Sequence, residues 1–392
     1  MLAIRNLRLP LCEGRALEEA VLAAVARRLV VPSEHIDSVQ ILKRSVDARK
    51  KADVHFVATL GVVLAASSPV SETEVAARLA DTNVVVADKP VATAPPTLTS
   101  PPPVRPVVVG TGPAGLFAAL TLARAGANPI VIERGRPVDE RVRSWDMFVA
   151  TGELDPESNI QFGEGGAGTF SDGKLNTNTK DARSRFVLEA LAEAGAPEEI
   201  LWQAKPHVGT DRLRGAVRQL RAEIERLGGE VRFLTRLDKL LIGDDGALAG
   251  IATVGPAGRE EHAAEALVLA TGHSARDTFE MLRHAGAHLV QKPFSIGVRI
   301  EHSQRLVDLA QYGPAADSPA LGAAEYKLSE HIASGRAVYT FCMCPGGEVV
   351  ASASEAGGVV TNGMSNFARE GENANSALLV SVFPMSAPPN RL

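Results

Sequence analysis

Apolar positions in the first part of the chain alternate in short runs around one helical stretch. Strands are predicted over 2–9, 38–43 and 53–64. A helix is predicted over 17–29, where Leu17, Val21, Leu22, Val25 and Leu29 recur at helical spacing. A second helix over 71–79 opens on a Ser-x-x-Glu capping box, Ser71 to Glu74, and a strand over 83–87 follows. The pattern predicts a small α+β domain over 1–88. Between 89 and 105 the periodicity stops. Pro90, Pro95, Pro96, Pro101, Pro102 and Pro103 fix φ and remove donors, so this stretch reads as an extended linker.

A different pattern starts at Pro106. An unbroken apolar strand over 106–109 runs through a glycine turn into a helix over 113–125 and a second strand over 129–133. Residues 151–179 are rich in Gly, Ser, Thr and Asn, which suggests a loop that covers a ligand. Helices over 182–194 and 211–227, a strand over 230–234, a hairpin over 237–254 and a strand over 266–270 complete this unit. Residues 293–365 are again β-rich with glycine turns. The expected fold class is α/β. A Rossmann-type domain covers 106–292, and a β-rich substrate-type domain covers 293–392.

Composition narrows the function classes. Of 392 residues, 45% are hydrophobic and 22% charged, and the net charge is −5. The chain as a whole is therefore no electrostatic nucleic-acid or membrane binder. Only Cys12, Cys342 and Cys344 occur, too few for a disulfide framework. With no apolar signal segment read and no membrane span, a cytoplasmic location is expected.

The chemistry concentrates in the glycine turn. Gly110 permits the sharp exit from the strand, Gly112 lets backbone approach a pyrophosphate, and Gly115 lets the helix pack on the sheet. The amides of Thr111, Pro113's neighbour Ala114 and Gly115 stand at the helix start, where the dipole is positive. Glu133 ends the second strand; its carboxylate can accept from ribose hydroxyls and repels a 2′-phosphate, so FAD or NAD is favoured over NADP. The run 254–258 lacks the first glycine and reads as a hairpin turn, which leaves one dinucleotide site.

Other candidates carry weaker signals. Alternation along 294–300 puts Ile296, Val298 and Ile300 on one face and Ser295, Gly297, Arg299 and Glu301 on the other, which either lines a substrate cavity or faces solvent. Cys342 and Cys344 flank Met343 with both thiols on one face; no metal ligands accompany them, and two small buried residues is the favoured reading. The basic stretch 43–51 lacks interleaved aromatics and reads as a solvated loop, so nucleic acid is not an expected partner.

Five segments carry a family resemblance: 109–135 (VGTGPAGLFAALTLARAGANPIVIERG), 159–176 (NIQFGEGGAGTFSDGKLN), 267–279 (LVLATGHSARDTF), 292–302 (KPFSIGVRIEH) and 340–369. Together they resemble the uncharacterised bacterial FAD-dependent dehydrogenase (NAD/FAD-utilising) family. The resemblance implies a glutathione-reductase-type FAD fold with an inserted substrate domain, FAD as cofactor and an oxidoreductase of unknown substrate. NADH or NADPH is possible as a transient donor. Within it, Gly168, Thr169, Ser171, Asp172, Gly173 and Lys174 are expected on the flavin side, Lys174 near the flavin N1 and C2 carbonyl. Thr271 and Gly272 are expected at the nucleotide portion, with Arg134 beside Glu133. Lys174 and His273 are the candidate catalytic residues. The alternatives are a nucleotide-binding protein without catalysis, an RNA-modifying flavoprotein using the basic stretch, and an NAD-dependent dehydrogenase on the same motif. The chain ends short of the family pattern and is expected to be C-terminally truncated.

Overall fold

The computed structural model describes residues 1–177, 179 and 181–384. The last residues of the expected C-terminal domain, 385–392, lie outside these. The chain opens with β1 (Leu2–Leu9), α1 (Gly14–Leu29), β2 (Ile36–Asp47), β3 (His55–Leu64), α2 (Glu72–Leu79) and β4 (Val84–Val86). These strands form an antiparallel sheet in the order β2-β3-β1-β4. Leu2, Ile4, Leu60 and Val62 alternate onto one face and meet Val21, Val25 and Leu29 of α1 and Val75 of α2. The capping box at Ser71 is formed: its hydroxyl accepts from the Glu74 amide, and the Glu74 carboxylate accepts from the Ser71 amide.

Several boundaries in this region differ from the pattern, two of them around the basic stretch. β2 extends through Asp47 because the first basic residues continue pairing with β3, and β3 starts only at His55, after a short turn over Lys51–Asp53. The basic stretch is thus largely strand rather than solvated loop. Arg44 lies between the rings of Phe56 and Trp202, and its backbone pairs with Trp202 and Ala204 at 2.8 and 2.9 Å.

The central unit comprises β5 (Val107–Val109), α3 (Pro113–Arg124), β6 (Ile130–Ile132), α4 (Val138–Thr151), α5 (Arg183–Glu193), α6 (Thr210–Arg226), β7 (Glu230–Arg232), β8 (Arg236–Ile242), β9 (Leu248–Gly255), β10 (Gly258–Ala263), β11 (Leu267–Leu269) and α7 (Arg276–His284). A parallel sheet runs β11-β5-β6-β7. Each face is covered, as parallel strands require. Val108 and Val131 point to α3, α5 and α6, against Leu116, Leu120, Leu191, Val217 and Ile224. Val107, Val109 and Ile132 point the other way, against Leu237 and Ile251 of the antiparallel β8–β10 layer. The turn at 255–258 joins β9 to β10 as a hairpin.

The pattern missed α4 and α7. α4 buries only Val138 and Arg141 and half-buries Val142 and Trp145, so its apolar stripe is thin.

The remainder holds β12 (Phe294–Ser303), α8 (Gln304–Tyr312), β13 (Ser329–His331), β14 (Ala337–Cys344), β15 (Glu348–Ala351), β16 (Thr361–Met364) and β17 (Asn373–Val382). The main sheet runs β12-β17-β14-β13, antiparallel throughout. Its centre, β17, lies beyond the β-rich stretch read from the sequence, and α8 interrupts that stretch. No helix among the described residues is long and apolar enough to cross a membrane.

Candidate functional site

A cavity of about 450 Å³ opens where β5 and β6 end and α3 begins, the place where parallel α/β sheets bind ligands. Local sequence shapes it. Gly110 leaves β5 at φ +98, and a Cβ there would stand 2.4 Å from the Ala270 carbonyl oxygen. Gly115 sits where a Cβ would stand 1.8 Å from the Gly110 carbonyl oxygen, so only glycine lets α3 meet the turn. Gly112 caps α3 with no side-chain partner. The first amides of the helix therefore face the cavity without a capping group, next to the positive dipole end.

The loop before α5 closes over this turn. The Gly165 amide donates to the Thr111 carbonyl at 2.8 Å, and a Cβ on Gly166, at φ +63, would stand 2.9 Å from Gly112 Cα. A buried network holds the loop. Arg141 donates to the carbonyls of Asn159, Glu164 and Ile160 at 2.7, 2.7 and 2.5 Å. Burial pushes its guanidinium down to about 9. The fully buried Glu164 carboxylate accepts from the Val138 amide and Arg221 Nε, both at 2.7 Å.

Glu133 borders the cavity, but its carboxylate is already engaged. One oxygen accepts from the Thr111 amide and hydroxyl at 2.8 and 2.7 Å. The other accepts from the amides of Gly135 and Gly163 at 2.9 and 3.1 Å. A carboxylate has about four acceptor sites, so Glu133 braces the turn and the covering loop, and a ribose hydroxyl would have to share those sites.

The structure divides the remaining site residues read from the sequence. Gly110, Gly112, Pro113, Ala114, Glu133, Arg134, Gly168, Thr271, Gly272 and His273 line the cavity. Arg134 stacks over Phe162 at 4.6 Å and donates to both Asp277 carboxylate oxygens at 2.9 Å. His273 is exposed at the rim, 3.3 Å from the Ser274 hydroxyl. Thr111 and Gly115 lie beneath the cavity wall. Thr169, Ser171, Asp172, Gly173 and Lys174 do not reach the cavity. Lys174 instead donates to Asp172 at 2.6 Å and to the Met343 carbonyl.

Asp172 is buried and also accepts from Arg369 at 2.9 and 2.5 Å and from the Ser365 hydroxyl at 2.9 Å. Burial alone would push its carboxyl up, but the Arg369 and Lys174 partners outweigh this and hold it at about 2. This end of the loop therefore clamps the C-terminal strands. The sequence reading missed Gln161, Phe162, Thr278, Phe279 and Leu282 in the cavity wall. The first two sit within the glycine-rich stretch; the other three lie on α7, whose helical spacing was their available signal.

A parallel nucleotide-type sheet with a glycine turn and an open helix start defines a dinucleotide-binding class of protein. Residues 104–292 match the family described as pyridine nucleotide-disulphide oxidoreductase, 293–391 match the C-terminal domain-like part of FAD-dependent proteins, and 1–63 match a domain of unknown function. An uncharacterized protein of Clostridium beijerinckii is 48% identical over 363 residues, covering 92% of this chain and 66% of that protein. The chain belongs to that uncharacterised bacterial family, whose domains are those of FAD-dependent oxidoreductases. Aklavinone 12-hydroxylase DnrF of Streptomyces peucetius is 28% identical over 200 residues, covering 47% of this chain and 39% of that enzyme. Among solved structures, Thermovibrio ammonificans THI4 matches 47% of this chain and 64% of its own at 18% identity and a TM-score of 0.32. The chain spans about two thirds of the length of its Clostridium relative.

Proposed function

We propose that the protein is an FAD-dependent oxidoreductase of a small-molecule substrate, with the adenosine and pyrophosphate of FAD in the cavity at the start of α3. The observation that carries this reading is the uncapped helix start at Gly112 facing Gly166, where a side chain on either glycine would narrow the gap. The donor set fits the group. The amides of Gly112 and Ala114 at the helix start suit the pyrophosphate, and Phe162, Leu237, Phe279 and Leu282 offer an apolar bed for the adenine. The Glu133 charge disfavours a 2′-phosphate. Bound FAD would supply two-electron chemistry that side chains lack. His273 is the titratable group at the rim placed to move a proton; Lys174 has no such place.

The finer reading of the fold is a glutathione-reductase-type domain over 106–292, a β-rich substrate-type domain from 293, and a small α+β domain over 1–88 joined by the linker 89–105. NADH or NADPH is the electron donor we propose, and the cytoplasm the compartment, in keeping with three unpaired cysteines. Arg44, stacked between Phe56 and Trp202, is withdrawn from the basic surface that the RNA-modifying alternative needs.

Absorbance of the purified protein with added FAD tests the proposal. A protein-bound flavin spectrum is expected, and Gly166→Ala should weaken FAD binding by about 100-fold, on the order of 3 kcal/mol, with the circular dichroism spectrum retained. A colourless protein that takes up no FAD in titration overturns it.

A further inference from the structure

Outside the cofactor cavity, a cluster of reactive and charged groups surrounds Cys342 and Cys344. Plain alternation would place these thiols side by side with Met343 between them. The structure interrupts the alternation. Phe341 pairs with Ala377 and Cys344 with Asn375, so the strand carries one extra residue there, a β-bulge. Cys342 takes a left-handed φ of +47, a strained conformation for a residue with a side chain. Such strain gathers at functional sites. Cys344 is fully buried, whereas Cys342 is only partly buried. The Cys344 thiol lies 3.3 Å from the Cys342 carbonyl oxygen and within reach of the Cys342 sulfur.

The groups around the pair are mostly donors. Arg299 Nη1 donates to the Cys342 carbonyl at 3.2 Å and to Asn375 Oδ1 at 2.6 Å. Lys174 donates to the Met343 carbonyl. Arg299 Nε and Asn375 Nδ2 are buried with no partner among the described residues. The Asp172 carboxylate opposes these charges but is shared by Arg369 and Lys174. The Cys344 hydrogen bond draws Cys342 well below the ordinary thiol range, with Lys174 and Arg299 assisting. The same bond, with burial, pushes Cys344 up. One accessible thiolate thus stands beside one buried, protonated thiol, the asymmetry that divides attack from resolution.

We propose that Cys342 and Cys344 form a thiol–disulfide exchange centre, with Cys342 the attacking thiolate and Cys344 the resolving thiol. Cys342 sulfur attacks one sulfur of a small external disulfide. The external S–S bond breaks, a mixed disulfide forms on Cys342, and one thiolate leaves and takes up a proton. Cys344 then gives its proton to solvent and attacks Cys342 sulfur. The mixed disulfide breaks, the second external thiol leaves, and a Cys342–Cys344 disulfide remains. Two electrons pass from the pair to the external disulfide. The proposal stands apart from the cofactor reading, because neither step uses FAD.

The test uses the intact chain, with glutathione disulfide as probe and iodoacetamide as label. In a pH series read by peptide mass spectrometry, Cys342 should alkylate with a midpoint at least one unit below the ordinary thiol value of about 8.5, and below that of Cys12 in the same sample. Glutathione disulfide should release both its halves as thiol from the unaltered protein. Cys344→Ser should release only one and keep the other on Cys342. Cys342 alkylating in the ordinary range overturns the proposal, and so does a Cys344→Ser protein that retains no glutathione on Cys342.

Discussion

The two antiparallel four-stranded sheets at the ends of the chain are built alike and held differently. In the N-terminal sheet one face is closed by α1 and α2, and Leu60 at its centre is 0% exposed. In the C-terminal sheet the apolar face of β12 is open: Phe294, Ile296 and Val298 are 60, 62 and 65% exposed. Its polar face is divided: Ser295 and Arg299 turn inward, where Arg299 meets Asn375 and the Cys342 carbonyl and Tyr339 donates to the Ser295 hydroxyl at 2.7 Å, while Gly297 and Glu301 are exposed. Of the two sequence expectations for that face, a substrate cavity or solvent, the second describes Gly297 and Glu301, and neither describes the pairing of Ser295 and Arg299. Polar clamps fasten the C-terminal part to the central unit. Asp172 binds Arg369 and Ser365, His207 pairs with the Phe367 carbonyl at 2.9 Å, and Gln161 donates to the Ser352 hydroxyl at 2.6 Å. Alternation along a strand shows which side chains share a face. It does not show whether that face is covered.

The largest expected effect tests the clamp. Asp172→Asn leaves Lys174 and Arg369 without their shared charge and should destabilise the C-terminal part by about 4 kcal/mol. Hydrogen exchange should rise over 337–382 and stay unchanged over 2–64. Uniform loss of protection in both sheets would break the contrast. Next comes the apolar core: Leu60→Ala removes a fully buried side chain and should cost about 3 kcal/mol, with the loss confined to 2–86. Chemical denaturation followed by hydrogen exchange reads both.

A pH series sharpens the same contrast. The folded-state carboxyl of Asp172 lies below its unfolded value, so its contribution is present above about pH 4 and is lost as pH falls towards 2. The clamped C-terminal part should loosen over that interval. The N-terminal sheet, whose core is apolar, should keep its protection to lower pH. Simultaneous acid loss in both sheets would contradict the assignment of the clamp.

How much was legible follows from the range of each interaction. The glycine turn and the strands beside it were readable because Gly115 answers to Gly110 within the turn and both answer to one strand end at Ala270; the approach of Gly166 to Gly112 was not, since it comes from the covering loop. Glu133 was readable as a bordering acid. Its four donors were not, since Gly163 arrives from the covering loop. Lys174 was expected beside the flavin because it sits in the glycine-rich loop; its position is set by Met343 and Asp172, and that of Asp172 in turn by Arg369. The bulge at Cys342 carries no glycine or proline to announce it, so a plain alternating strand was the natural expectation. α8 and β17 were hidden for a related reason. Gln304 in α8 and Asn375 and Ser376 in β17 are buried, so polarity no longer marks what faces water.

The smallest expected effect is the most direct check on the open face. Val298 lies mid-strand, flanked by β17 through its pairing with Leu378, and its side chain is mostly exposed. Replacing it with Thr keeps the β-branched shape that suits a strand and removes little buried surface. Stability should change by less than about 0.5 kcal/mol. The equivalent change in the N-terminal sheet, Val62→Thr, puts a hydroxyl into an apolar core and should cost about 1–3 kcal/mol. Equal losses at the two positions in denaturation would mean that the β12 face is covered in solution by a second copy or another surface, and dilution would then separate the two cases, because only an intermolecular cover weakens as concentration falls.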